Sequence, residues 1–90
     1  MVLEVRAGAA RGNHYHKVKV EWIYVVQARL RVLAQDLETN QRASVTLETG
    51  DMLLIQTGVA HVLQTIEPGL AIEFSPTRFD PADSFPFPLV

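Results

Sequence analysis

The chain has 90 residues, a length that allows one domain of modest size. Eight Lys and Arg stand against ten Asp and Glu, so the formal net charge is −2, and we expect neither a nucleic-acid surface nor a basic membrane patch. Hydrophobic residues make up 48% of the sequence and cysteine is absent, which is typical of a globular protein and excludes disulfides, cysteine-based zinc sites and thiol nucleophiles.

Short strands separated by turn residues are predicted along most of the chain. In chain order, β-branched content and period-two alternation predict strands at 3–6, 13–19, 21–27, 29–35, 43–47, 52–55, 61–66 and 70–74. Turn residues lie between them at 38–40, 50–51, 58 and 68–69. Segment 28–37 also fits an amphipathic helix, but a strand explains its flanking segments better. The pattern predicts an all-β, single-domain fold, a small antiparallel barrel or jelly roll.

The proline distribution divides the chain in two. All five prolines lie after residue 67, so we expect a barrel over residues 1–75 and a Pro/Phe-rich tail over residues 76–90. Because proline lacks an amide donor, the tail cannot hold a long helix or a central strand. Phe79, Phe85 and Phe87 give it apolar surface, so we expect it to pack on the barrel or on a partner subunit. Asp80 and Asp83 are predicted to form turns.

The sequence also allows expectations about where the protein is located and how it assembles. No apolar run approaches the roughly 20 residues that a bilayer crossing needs, and residues 1–10 lack the pattern of a signal peptide. We therefore expect a cytoplasmic protein with no membrane partner. A chain this small buries a limited share of its surface, so a homodimer is also expected.

His14 and His16 form an H-x-H pair on a predicted strand. Side chains at i and i+2 of a strand point to the same face, about 6.5–7 Å apart, and two imidazoles at that spacing can share one metal ion. An isolated pair of this kind is more often two solvated or hydrogen-bonded histidines. The surrounding residues therefore decide the interpretation.

Two spaced motifs contain all three histidines of the chain. The first is Gly8-x5-His14-x-His16-x4-Glu21-x6-Ala28, and the second is Gly50-x5-Gln56-x-Gly58-x2-His61-x3-Thr65. Both resemble the signature motifs of the cupin superfamily, with every spacing kept. The departures are Ala28, Gln56 and Thr65, which replace the Gly, Pro and Asn of the family pattern.

The resemblance implies a cupin barrel in which four side chains hold one divalent metal per chain: His14, His16, Glu21 and His61. Imidazole nitrogen and carboxylate oxygen suit Mn, Fe, Co, Ni, Cu or Zn. The alternative is a relic of the fold in which the histidines are satisfied without a metal. Ala28 is expected at a turn between strands 21–27 and 29–35, where a positive φ would strain it by about 1 kcal/mol. Ala28→Gly would then raise the melting temperature.

A closer resemblance lies in residues 11–17 and in the ending FDPADSFPFPL. Both are similar to the RmlC-like, sugar-nucleotide-modifying branch of the cupins, which includes dTDP-4-keto-sugar epimerases and isomerases and cupin domains of capsular polysaccharide enzymes. The resemblance places Arg11, Asn13 and Lys17 at the barrel mouth, where they either meet a diphosphate or remain solvated. Tyr15 and Tyr24 are acid–base candidates by their chemistry alone, and Tyr24 is also a candidate substrate residue.

Three functions remain open at this point. The first is metal-dependent chemistry on a small molecule, with epimerisation or isomerisation of a carbohydrate or sugar nucleotide placed ahead of dioxygenase activity. The second is a non-catalytic small-ligand-binding or sensory cupin with a structural metal, and the third is a purely structural domain. Trp22 and Tyr24, which share the face opposite Glu21, are expected in the core or at a dimer interface.

Overall fold

The computed structural model describes residues 1–78 and 80–90, and these form seven strands. The strands are β1 (Val2–Val5), β2 (Ala10–Tyr15), β3 (Glu21–Asp36), β4 (Arg42–Glu48), β5 (Met52–Ile55), β6 (Val59–Phe74) and β7 (Phe85–Pro86). Phe79, which the sequence predicted to give the tail apolar surface, lies outside the described residues. Every strand pair is antiparallel, so the predicted all-β class and jelly-roll type are confirmed.

Two long strands, β3 and β6, organise the sheet by pairing with each other along almost their whole length. Strands β5 and β4 pair with successive parts of β3, β1 and β2 pair with successive parts of β6, and β7 extends β2. A flat 16-residue strand would span about 50 Å, whereas the longest dimension of the molecule is 31 Å. Both long strands therefore bend sharply, and the sheet curls into two facing layers.

The bend coincides with irregular pairing between β3 and β6. The register shifts three times between Val25 and Leu30, as expected at β-bulges, which increase strand curvature. Gly69 on β6 crosses β3 so closely that a Cβ built on it would lie 1.7 Å from the carbonyl oxygen of Gln27. Pro68 is tolerated inside β6 because a bulge does not require its missing amide donor.

The predicted turn at Ala28 is wrong. Ala28 lies inside the continuous strand β3 without a positive φ, it is 8% exposed, and it belongs to the hydrophobic core. Segments 21–27 and 29–35 are one strand, and the turn predicted at 68–69 is likewise part of β6. The chain bends at these positions because the glycine of β6 permits close approach, so no reversal of β3 is needed.

Ala28→Gly is therefore expected to destabilise the protein, opposite to the sequence-based prediction. Glycine in a strand interior costs about 0.5–1 kcal/mol relative to alanine, and the variant also loses a buried methyl group worth about 0.8 kcal/mol. Urea unfolding should give a free energy of unfolding lower by about 1–2 kcal/mol. An unchanged or higher value would mean that Ala28 is strained after all.

Alternation along the first half of β3 sets which side chains face the interior. Glu21, Ile23 and Val25 are 2%, 0% and 0% exposed, as the period-two pattern predicted. Trp22 and Tyr24 point to the outer face, where the Trp22 ring stacks on Phe74 with centroids 6.3 Å apart. The carboxylate of Glu21 thus enters the interior beside the apolar side chains of Ile23 and Val25. The described residues form no helix with the length and apolarity needed to cross a bilayer.

The tail lies against β2. Phe85 pairs with Tyr15 and stacks on its ring with centroids 5.3 Å apart. The Phe87 amide donates to the carbonyl oxygen of Asn13 at 2.8 Å, and the Leu89 amide donates to the Asn13 side chain at 2.8 Å. Asn13 is a bulged residue with φ of 57°, a conformation that asparagine adopts more readily than most residues.

Candidate functional site

Four side chains from both layers of the sheet converge at one end of the interior. They come from β2 and the segment after it, from the start of β3 and from the start of β6: His14, His16, Glu21 and His61. One ligand atom from each lies within 4.8 Å of the others. His14 and His61 are brought together by strand pairing, because they are register partners on β2 and β6. This group can hold a metal ion.

Backbone carbonyl groups set the tautomers of two of the imidazoles. Nδ1 of His61 lies 3.1 Å from the carbonyl oxygen of Val59, and Nδ1 of His16 is hydrogen-bonded to the carbonyl oxygen of Asp83. A carbonyl oxygen only accepts, so Nδ1 carries the proton in each neutral ring, and Nε2 keeps a free lone pair. The carbonyl groups thus leave both Nε2 atoms available for a metal.

Glu21 provides the observation that decides how this group is interpreted. Its Oε2 atom lies 3.6 Å from Nε2 of His16 and 3.6 Å from Nε2 of His61, and these distances are too long for hydrogen bonds. Oε2 is buried and lacks a hydrogen-bond partner among the described residues. A buried carboxylate oxygen facing two imidazole lone pairs is unfavourable unless a cation lies between them.

The distances and donor types fit a divalent transition metal. With bonds of about 2.0–2.2 Å, two ligands on one ion are typically about 3–4 Å apart, close to the separations between Glu21 and the two histidines. Burial, followed by repulsion from His61 and His16 in their protonated forms, lowers the pKa of His14 to about 4. His14 is therefore neutral at pH 7, which is the form that binds a metal.

Lys19 and Glu73 extend the group toward the edge formed by β1, and the sequence analysis missed both. Nζ of Lys19 lies 3.9 Å from Oε1 of Glu21 and 3.7 Å from Oε1 of Glu73. Burial and the neighbouring Glu21 carboxyl raise the pKa of Glu73 above its ordinary range. Burial also acts to raise the pKa of Glu21, but its polar neighbours His61 and Glu73 and the Lys19 charge outweigh this and lower it. Of these two neighbouring carboxyl groups, Glu21 is therefore the one that ionises first.

The signal for Glu73 was present in the sequence as a lone carboxylate in the apolar strand 70–74. Its register partner is the fully buried Ile23, and cross-strand partners share a face. Parity with the buried Ala71 would have placed Glu73 inside the barrel. Parity does not find Lys19, because residues 17–20 lie outside the strands.

The structure separates the four predicted substrate residues. Arg11 is exposed, but its register partner is the buried Leu63 and its charge acts to lower the pKa of Glu73. Asn13 binds the tail, and Nζ of Lys17 lies 4.4 Å above the centre of the Phe85 ring. Tyr24 is on the outer face, 37% exposed, opposite Met52. Arg11 is therefore the member of this set on the side of the histidines.

A cleft of about 670 Å³ opens beside β4 and β5, and neither the histidines nor Glu21 line it. Its walls include Ala34, the register partner of His61, and Ile55, the register partner of Glu21. Val32, Val45 and Leu53 also line it. Cavities of about 300–1,000 Å³ are the usual size for small-molecule sites.

Most of the chain matches a known protein-family model. Residues 1–74 match the model described as the polysaccharide biosynthesis C-terminal domain. The chain belongs to that family. A search of curated proteins finds no match.

Solved structures similar to this polysaccharide biosynthesis C-terminal domain share the cupin fold. The capsular polysaccharide assembling protein CapF from Staphylococcus aureus is 20% identical with a TM-score of 0.86, covering 96% of this chain and 27% of that one. A dTDP-4-dehydrorhamnose 3,5-epimerase from Sulfolobus tokodaii is 25% identical with a TM-score of 0.81, covering 93% and 54%. A variant of Bacillus subtilis oxalate decarboxylase is 26% identical with a TM-score of 0.79, covering 94% and 22%.

These comparisons confirm the resemblance to the cupins that the two motifs carried. The polysaccharide biosynthesis C-terminal domain spans about a quarter of CapF and about half of the epimerase. The likeness therefore concerns one cupin unit in each of those longer proteins.

Proposed function

We propose that this cupin binds one divalent transition metal through His14, His16, Glu21 and His61, and that it acts on a carbohydrate-like small molecule by epimerisation or isomerisation. When bound, the metal would supply a Lewis acid with open positions for water or a substrate oxygen. The observation that carries the proposal is the buried Oε2 atom of Glu21, which faces two imidazole lone pairs.

The cleft between β4 and β5 supports a small-molecule site at this group. Two of its wall residues, Ala34 and Ile55, are the strand neighbours of His61 and Glu21, so the cleft is one strand position away from two of the four side chains. Apolar residues form much of the wall, which suits the carbon face of a sugar ring.

One cation supports a phosphorylated sugar over a neutral one. Arg11 is exposed on β2 opposite the buried Leu63, whereas Lys19 is already engaged by Glu21 and Glu73. The planar guanidinium of Arg11 suits the oxygen atoms of a diphosphate. The description of CapF as a capsular polysaccharide assembling protein and the activity of the epimerase are consistent with a sugar-nucleotide substrate.

A non-catalytic ligand-binding cupin with a structural metal is the second candidate. The positions of the two tyrosines favour it, because Tyr15 packs against Phe85 and Tyr24 faces outward. Neither phenol is placed to move a proton at the histidines.

If the protein is an enzyme, Glu73 is the group that would hold and move a proton, since its raised pKa keeps it protonated to higher pH than an ordinary carboxyl.

The proposal is tested by the metal content of protein purified without a His tag. Elemental analysis is expected to find about one transition-metal ion per chain, and a chelator should remove it. At a free metal concentration of 100 times Kd, binding stabilises a protein by about 2.7 kcal/mol. Restoring the metal should therefore raise the Tm of the stripped protein by more than about 10 °C. Absence of metal together with an unchanged Tm would exclude the metal site.

Activity separates the two candidates. The metal-loaded protein is incubated with dTDP-4-keto sugars in deuterated water, and exchange of the protons next to the carbonyl is followed by NMR. Exchange that stops on chelation and returns with one metal supports the enzyme. Saturable binding of the same sugars without exchange supports the binding protein.

A further inference from the structure

The segment between two of the proposed metal ligands has little support from the sheet. Lys17–Val20 connects His16, just after β2, to Glu21 at the start of β3, and it is not part of any strand. Its length and shape fix the distance between those two ligands. Backbone amide groups in such a segment need acceptors from elsewhere in the chain.

One tail residue, Asp83, supplies most of those acceptors from 66 positions away. Its Oδ1 atom accepts from the Lys17 amide at 2.8 Å, and its Oδ2 atom accepts from the Val18 amide at 3.1 Å and the Lys19 amide at 2.8 Å. The residue is 9% exposed. A single buried carboxylate thus holds three consecutive amide groups, the arrangement of an anion in a backbone nest.

The same residue also acts on His16 directly. The carbonyl oxygen of Asp83 accepts from Nδ1 of His16, which leaves the lone pair of Nε2 directed toward Glu21. Partners of this kind fix the tautomer and orientation of a ligating histidine. Asp83 therefore sets both the His16 ring and the backbone that leads from His16 to Glu21.

Asp83 is in turn held in place by its own segment. Its amide donates to the carbonyl oxygen of Asp80 at 3.0 Å, and the Ala82 amide donates to the Asp80 side chain at 2.9 Å. The next residues, Phe85 and Pro86, pair with β2 on the strand that carries His14. The contacts that dock the tail are therefore the same contacts that align His14 and His16.

We propose that Asp83 is a positioning residue of the metal site, so that docking of the tail and metal binding stabilise each other. This inference rests on the proposed function, because it requires that the four side chains bind a metal. Linkage makes the effect reciprocal: what the docked tail adds to metal affinity, the bound metal adds to tail docking.

The test compares Asp83→Ala with a matched variant, Asp51→Ala. Asp51 is also a carboxylate that accepts from a backbone amide, that of Glu48 at 2.7 Å, but it lies in the turn before β5, away from the histidines. The Kd for Zn²⁺ is measured by competition with a chromophoric chelator. Loss of an outer partner typically weakens metal binding about 10–100-fold, so we expect that change for Asp83→Ala and none for Asp51→Ala.

Two further measurements separate positioning from general destabilisation. Ring ¹⁵N signals of His16 in the metal-free protein should show Nδ1 protonated in the wild type; Asp83→Ala keeps the backbone carbonyl of residue 83 but loses the carboxylate that holds this segment in place, so a tautomer mixture is expected there. Hydrogen exchange at residues 85–90 should slow when Zn²⁺ binds to the wild type. If Asp83→Ala binds Zn²⁺ as the wild type does, the inference is overturned while the proposed function stands. If the wild type itself binds no metal, both fail.

Discussion

Glu21→Gln is expected to weaken metal binding by more than about 100-fold, a larger effect than loss of an outer-shell partner, while the metal-free protein keeps its stability. Glutamine has the same shape as glutamate but lacks the anionic oxygen that a divalent ion requires. After a small shift from the present 3.6 Å separations, its amide group can donate to Nε2 of His16 or His61, so the position of the unpartnered Oε2 atom gains a hydrogen bond. Lys19 keeps Glu73 as a partner, because the pKa of Glu73 falls once the Glu21 carboxylate, one of the groups that raise it, is removed. Metal affinity is measured by chelator competition, and Tm is measured after stripping.

The same variant distinguishes a metal site from an internal ion pair. If Glu21 were stabilised by charged histidines alone, removing its charge would leave them unpaired, and the stripped protein would lose several kcal/mol of stability. Glu48→Gln serves as the control, because Glu48 is an exposed carboxylate paired with Arg29. A large fall in the Tm of stripped Glu21→Gln, with metal affinity unchanged, would contradict the proposed site.

Gly69→Ala is expected to lower the free energy of unfolding by more than about 4 kcal/mol, or to prevent folding. The added Cβ would lie 1.7 Å from the carbonyl oxygen and 2.8 Å from the carbonyl carbon of Gln27. These are backbone atoms of β3, so no side-chain rotation can relieve the overlap. Soluble yield and urea unfolding measure the effect.

The matched control for Gly69→Ala is Gly58→Ala. Gly58 has a φ of 73° and open space around its Cα, so the substitution there meets only the left-handed backbone penalty of about 1–2 kcal/mol. Equal stability of the two variants would mean that β3 and β6 do not need their close crossing.

The all-β fold class could be predicted from the sequence because the alternation of apolar and polar residues along a strand is a local pattern. The inward positions of Glu21, Ile23 and Val25 follow from period two alone. The four side chains that the structure brings together were named by the resemblance of the two motifs to the cupin pattern. Strand period alone relates only His14 to His16, and it does not predict the pairing of His14 with His61.

The errors arose where distant segments interact. Ala28 was assigned to a turn because its neighbours look like two short strands, but Gly69, far along the chain, lets one long strand bend there instead. The assignment of Asp83 to a turn is correct, since its amide donates to the carbonyl oxygen of Asp80, but its residue type gave no sign of its other contacts. Its contacts with Lys17–Lys19 lie more than 60 positions away, where no periodicity extends.

Strand β3 places its two ends on the same group of side chains. Glu21 begins the strand, while Ala34, near its other end, pairs with His61, although about 43 Å would separate these positions in a flat strand. The bulges at Val25–Leu30 fold the strand so that Glu21, at one end, lies close to His61, the β6 partner of the other end. The separation of these two ligands, and with it the size of the ion that fits between them, therefore depends on how sharply β3 bends, and substitutions at the bulges can change it without changing any ligand.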